Sequence, residues 1–207
     1  MTDLELFDGR YPRYTRQIGF FEASVEDVLA FFDAWWMRTD KVHAVPRARP
    51  ESLESILAGG FSDWLLVRGD PPWTAMFVPE LEGGPVRLAA WEAGIRSVYI
   101  RDRPGEMLEF TVTERDSQRS VMAYEDGGSW AFHEDGQPFA FEEVEQYRAR
   151  RKRDRLTSRM VHAYAAGLGI RFADPTFYGG ERVSFKHEGI GSALKRIIAQ
   201  RLARSGN

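Results

Sequence analysis

The sequence predicts an α+β fold, a mostly antiparallel meander sheet with helices packed against it. Between residues 64 and 133, short apolar or alternating runs follow one another, separated by turn residues at hairpin length. That is the pattern of strands paired with their chain neighbours rather than of βαβ crossovers. On either side of this region apolar residues recur at helical spacing instead. The composition, 43% hydrophobic, 13% aromatic and 29% charged, is that of a globular chain and not of a disordered one. Its 207 residues suit one domain with a substantial core, expected over 1–207.

The elements follow in order. Ser24 precedes Val25, Glu26 and Asp27, after which Val28, Leu29, Phe31, Phe32, Trp35 and Trp36 fall at helical spacing. Ser24 with Asp27 resembles a capping box with aspartate in place of glutamate, and the early acids suit a helix N-terminus, so a helix is expected over 25–38. Residues 41–50, with Pro46 and Pro50, read as a connection, and 51–57 as a short helix stopped by Gly59 and Gly60. Strands over 64–67 and 73–78 flank Gly69-Asp70-Pro71-Pro72 and should form a hairpin. A short helix over 86–93 closes at Gly94, a strand over 95–100 follows, and Arg103-Pro104-Gly105 turns the chain. The clearest strand is 107–114, where Leu108, Phe110 and Val112 alternate with Glu109, Thr111 and Thr113. One face is expected in the core and the other in water. Strands over 120–124 and 129–133 complete the meander.

Beyond Phe139 and Phe141 a charged helix is expected over 142–155. Thr157 or Ser158 can cap the next, whose stripe is Val161, Tyr164, Ala165 and Leu168, ended by Gly169. Residues 170–172 and 182–185 are candidate edge strands. Ile190, Leu194, Ile197, Ile198 and Leu202, backed by Lys195, Arg196, Arg201 and Arg204, predict an amphipathic helix over about 190–204.

The net charge of −3 conceals an asymmetry: residues 1–140 carry a net −10 and residues 141–207 a net +7. Either the two parts attract each other within the fold or the basic part faces an acidic partner. There is no cysteine, which removes disulfides, thiolate metal sites and cysteine nucleophiles together. With no signal-like or membrane-length apolar run, the expectation is a cytoplasmic protein that does not engage a membrane.

The four histidines, His43, His133, His162 and His187, include no pair at helical spacing. No transition metal and no cofactor is therefore expected. The sequence has no Gly-x-Ser-x-Gly elbow, P-loop or dinucleotide fingerprint. Gly189-Ile190-Gly191-Ser192 opens the expected last helix, either as an anion-binding turn or as a plain helix start. His133 beside Glu134 and Asp135 is a pair that space could assemble into chemistry or leave as an exposed strand residue.

The densest feature is Arg148, Arg150, Arg151, Lys152, Arg153 and Arg155, six cations in eight residues. They could neutralise phosphates, meet an acidic partner, or pair within the fold, since Glu142, Glu143 and Glu145 precede them in the order a helix dipole favours. The second feature is aromatic: Trp35 and Trp36 are adjacent and cannot both bury on one helix face, so one belongs at a rim, where tryptophan dominates binding.

The stretch from Gly136-Gln137-Pro138-Phe139-Ala140-Phe141-Glu142 to Tyr147-Arg148-Ala149-Arg150-Arg151-Lys152-Arg153-Asp154-Arg155 resembles a group of uncharacterised, mainly actinobacterial proteins that share this segment. No activity is known for that group, so the resemblance implies no functional residue. The expectation by elimination is a protein-binding module, of the kind that immunity or antitoxin proteins represent. It would contact a partner through Trp35 or Trp36 and through Arg148, Arg150, Arg151 and Arg153. The alternatives are an enzyme whose site assembles from scattered carboxylate, histidine and arginine residues, and a nucleic-acid binder using 148–155.

Overall fold

The strand at the centre of the sheet is one that alternation does not reveal. A short helix, α1 (Pro12–Thr15), leads into β1 (Gln17–Glu22), where Ile18, Phe20 and Phe21 are all buried because both faces of this strand are covered. The computed structural model describes residues 6–39, 44–60, 64–78 and 83–187, so the helix expected over 190–204 lies outside the described residues. The chain continues through α2 (Val25–Thr39), β2 (Ala44–Ala48), α3 (Leu53–Gly59), β3 (Trp64–Arg68), β4 (Trp73–Phe77) and α4 (Gly83–Ala93). Then come β5 (Ser97–Arg103), β6 (Met107–Thr113), β7 (Gln118–Asp126), β8 (Ser129–Asp135), α5 (Ser158–Gly167) and β9 (Arg182–His187).

The nine strands among the described residues make one sheet in the order β2-β9-β3-β4-β1-β5-β6-β7-β8, every pair antiparallel. The α+β class stands, and β5 to β8 form the expected meander. In its register Phe110 lies opposite Ile100 on one side and Val121 on the other, so the apolar residues of successive strands stack on one face.

The architecture has three layers. One face of the sheet, including Phe20, Val67, Ile100, Phe110 and Val121, packs with α3 and α5. Trp73 Nε1 donates to Leu168 O at 3.1 Å and ties β4 to the end of α5. The other face, including Phe21, Leu66, Met76 and Phe185, packs with α2 and α4. Ser24 caps α2 as its sequence implies: Oγ accepts the Asp27 N–H at 3.0 Å and donates to Asp27 Oδ2 at 2.7 Å. The stripe Val25, Val28, Phe32 and Trp36 is buried beneath α2.

Four expectations are corrected. The polar side of β6 does not meet water: Glu109, Thr111 and Thr113 are 2%, 0% and 1% exposed. Glu109 and Thr111 tolerate burial next to α4 because their groups pair. Arg87 Nη2 donates to Glu109 Oε1 at 3.1 Å, Thr111 Oγ1 donates to the same oxygen at 3.0 Å, and Ser120 Oγ lies 2.8 Å from Thr111 Oγ1. Residues 182–185 belong not to an edge strand but to β9, paired on both sides by β2 and β3. Residues 170–172 form no strand: the Phe172 carbonyl accepts from Tyr178 Oη at 2.7 Å, which holds this stretch in a turn. The connection over 41–50 contains an edge strand, β2, where Pro46 is accommodated because, among the described residues, β9 alone flanks it.

Candidate partner-binding surface

The expected helix over 142–155 is also replaced, and the replacement shapes the surface. Arg119 on β7 is 4% exposed, and a buried guanidinium requires acceptors. It donates from Nε to Glu142 Oε1 at 3.0 Å and from Nη2 to Glu142 Oε2 at 2.6 Å and Glu134 Oε2 at 3.2 Å. Nη1 donates to the carbonyls of Asp135 and Gly136 at 3.1 and 3.0 Å. The Tyr147 hydroxyl donates to Glu142 Oε2 at 2.7 Å and lies 3.0 Å from the Tyr164 hydroxyl, which accepts the Glu143 N–H. The Phe139 N–H donates to Glu142 Oε1 at 3.0 Å.

Burial alone would raise the Glu142 pKa, but these donors, Arg119 first, hold it below the usual carboxylate range. Burial pushes the Tyr147 phenol well up, and its bond to Glu142 pushes it further. With Glu142 drawn inward, a helix beginning there would have to turn this carboxylate away from Arg119. The chain instead makes two 3-10 turns, Val144–Arg148 and Lys152–Asp154. Side chains take the freed carbonyls: Gln146 Nε2 donates to Asp154 O at 2.7 Å and Arg155 Nε to Ala149 O at 2.9 Å. The Arg155 guanidinium also lies over the Phe132 ring, 5.6 Å from its centroid.

Pinned at both ends, the segment presents its middle to solvent. Arg148, Arg150, Arg151, Lys152 and Arg153 are all exposed. Arg148 pairs with Glu145 at 3.0 Å, where both side chains are about four-fifths exposed, and Arg153 Nε lies 3.7 Å from Asp154. Among the described residues no carboxylate pairs with Arg150, Arg151 or Lys152. The ion pairs that join the acidic and basic parts of the chain lie elsewhere, as in Arg171 with Asp70 at 2.5 Å and Arg68 with Glu181 at 3.2 Å. Beside the basic segment lies a groove of about 400 Å³. Leu108, Trp130 and Leu156 supply its apolar wall, the Pro104 turn one end, and Arg153 and Asp154 its rim.

The tryptophans divide as their adjacency requires. Trp36 is fully buried against Trp64 and Phe185 and offers a partner nothing, whereas Trp35 is half-buried. Trp35 belongs to α2, on the face of the sheet opposite the arginines, so the expected partner-binding residues do not converge on one surface. The sequence reading did not single out Trp130 or Trp91, the latter 50% exposed on α4. A signal existed for Trp91, which lies off the stripe Val86, Ala89 and Ala90 that α4 buries.

Catalytic groupings are less well formed. Ser158 Oγ donates to Asp102 Oδ1 at 2.7 Å, and Asp102 Oδ2 lies 3.1 Å from His162 Nε2. The carboxylate stands between hydroxyl and imidazole, so the histidine is not placed to take the serine proton as it would be in a triad. His133 is exposed, and Glu134, on the other side of its strand, is held by Arg119. Among the described residues no three metal-ligating side chains cluster, and no helix is long and apolar enough to cross a membrane. Comparison with family models, with curated proteins and with solved structures finds no match to this chain.

Proposed function

We propose that this chain is a protein-binding module, cytoplasmic and of the immunity or antitoxin type, that docks an acidic segment of a partner protein on residues 148–153 and the adjoining groove. One observation carries the reading: Arg150, Arg151 and Lys152 are exposed without carboxylate partners among the described residues, on a segment fixed by a buried network, beside a pocket walled by Trp130. Cations on a preorganised segment steer an acidic partner, and a neighbouring indole provides the desolvated anchor. A protein fits better than a nucleic acid because Glu145 and Asp154, beside Arg148 and Arg153, interrupt the positive field that a phosphodiester backbone would follow.

The test is capture from lysate of the native host, with and without nuclease, using the wild-type chain and the R150E/R151E variant. A near-stoichiometric protein that survives nuclease and is lost on charge reversal supports the reading. A partner retained equally by the variant, or recovered only as nucleic acid, rejects it.

A further inference from the structure

A second charge cluster lies on the opposite face of the sheet, beside α4. Arg101 and Arg103 are two residues apart on β5, hence on one face and about 7 Å apart along the strand. Gln17 of β1 lies directly opposite Arg101 on one side and Glu109 of β6 on the other. Among the described residues the charges here do not balance. Glu109 receives Arg87 at 3.1 Å and stands 4.0 Å from Arg101, so one carboxylate serves two guanidinium groups. Among the described residues Arg103 has no carboxylate partner.

The hydrogen bonds are equally one-sided. Arg101 donates from Nε and Nη2 to the Tyr99 hydroxyl at 3.1 and 2.8 Å, while its Nη1 is directed at Met107 Sδ at 2.7 Å, a weak acceptor for a cation. Arg103 Nη2 donates to Gln17 Oε1 at 2.9 Å, which fixes the orientation of that amide. Gln17 is 2% exposed, and its Nε2 has no partner among the described residues. Arg87 Nε is likewise buried and unpartnered. The unmet groups are therefore donors, whereas buried polar groups are ordinarily paired. The first turn of α4 carries no acid, and α4 begins against Tyr99 and Arg87, adding the positive end of a helix dipole. The Arg101 side chain is 20% exposed and that of Arg87 31%, so the cluster is open to solvent along one side.

We propose that this cluster is a binding site for a small oxyanion ligand, held by Arg101, Arg103 and the Gln17 amide, with Arg87 and Glu109 setting its charge. The ligand chemistry is a phosphate or carboxylate group, either of which accepts from several forked donors at once.

The experiment is calorimetric titration of the full chain with inorganic phosphate and, separately, with malonate, at constant ionic strength maintained with chloride. Binding of phosphate alone would identify a phosphorylated ligand and binding of malonate alone a carboxylate ligand; either supports the site, as does binding of both. The Q17E variant supplies a resident carboxylate of the same size. It should melt at a higher temperature than the wild type and bind the anion at least tenfold more weakly. R150E/R151E should bind it unchanged. No binding of either anion to the wild type, equal binding by Q17E, a lower melting temperature for Q17E, or loss of binding in R150E/R151E would each overturn the proposal.

Discussion

Glu142 and Arg119 form an ion pair that neither residue could abandon without cost. Replacing the carboxylate in E142Q leaves the buried guanidinium with only the half-exposed Glu134 as a charged partner among the described residues, and we expect a loss of about 3 kcal/mol in urea denaturation. The double variant R119M/E142L should lose less than E142Q, because burying neither charge is cheaper than burying one. Glu142 has a folded pKa below its unfolded value of about 4.3. Its contribution is therefore complete above that pH and disappears as the pH falls through the lower folded value. Stability measured from pH 6 down to 3 should accordingly fall more steeply in the wild type than in E142Q. Gly136 serves the same junction: at φ +79° a Cβ there would stand 2.0 Å from the Gln118 carbonyl oxygen. G136A should destabilise by about 2 kcal/mol or more, and a melting temperature unchanged from the wild type would refute that. Gly136, Glu142 and Tyr147, the residues that stand out in the Gly-x-Pro-Phe-x-Phe-Glu stretch and after it, thus act as a structural clamp that presents the arginines.

At the scale of elements, helix starts were the most legible part of the sequence, because a cap is a local device. Thr157 Oγ1 accepts the Met160 N–H at 3.3 Å, so T157A should cost about 1 kcal/mol in chemical denaturation without altering the sheet. The meander was legible for the same reason, since hairpin turns and alternation are short-range signals. What escaped is long-range. β1 shows no alternation because both of its faces are covered, and β2 reads as a loop because β9, its one neighbour among the described residues, comes more than 130 residues later. The stretch over 142–155 satisfies every local rule for a helix, acids first and bases last, yet Arg119, 23 positions before Glu142, decides otherwise. Of the candidate site, the basic run was visible in the sequence. Its pairing with Trp130 was not, because that groove is closed by the Pro104 turn and Leu156, which only the fold brings together.

For the whole molecule, the separation of acidic and basic parts is resolved partly inside and partly outside. Pairs such as Arg171 with Asp70 neutralise charge across the chain, while the cations over 150–152 stay exposed without carboxylate partners among the described residues. R150E/R151E should consequently change folding stability by less than about 0.5 kcal/mol. Partner association should slow about tenfold at low salt, with a smaller difference at 0.5 M salt, where stopped-flow rates would converge. An equal effect at both salt concentrations would argue against steering.

The place of β9 bears on how the protein is made. The strand that joins β2 to β3 is the last described element to leave the ribosome, and at roughly 5–20 residues per second about 7–30 s separate its emergence from that of β2. Throughout that interval the hydrogen-bonding edge of β3 is open, and Phe32 and Trp36 lack the Phe185 ring they pack against. A nascent chain stalled before residue 182 thus presents a bare strand edge beside unfinished aromatic packing, the combination that holding chaperones bind and that aggregation exploits.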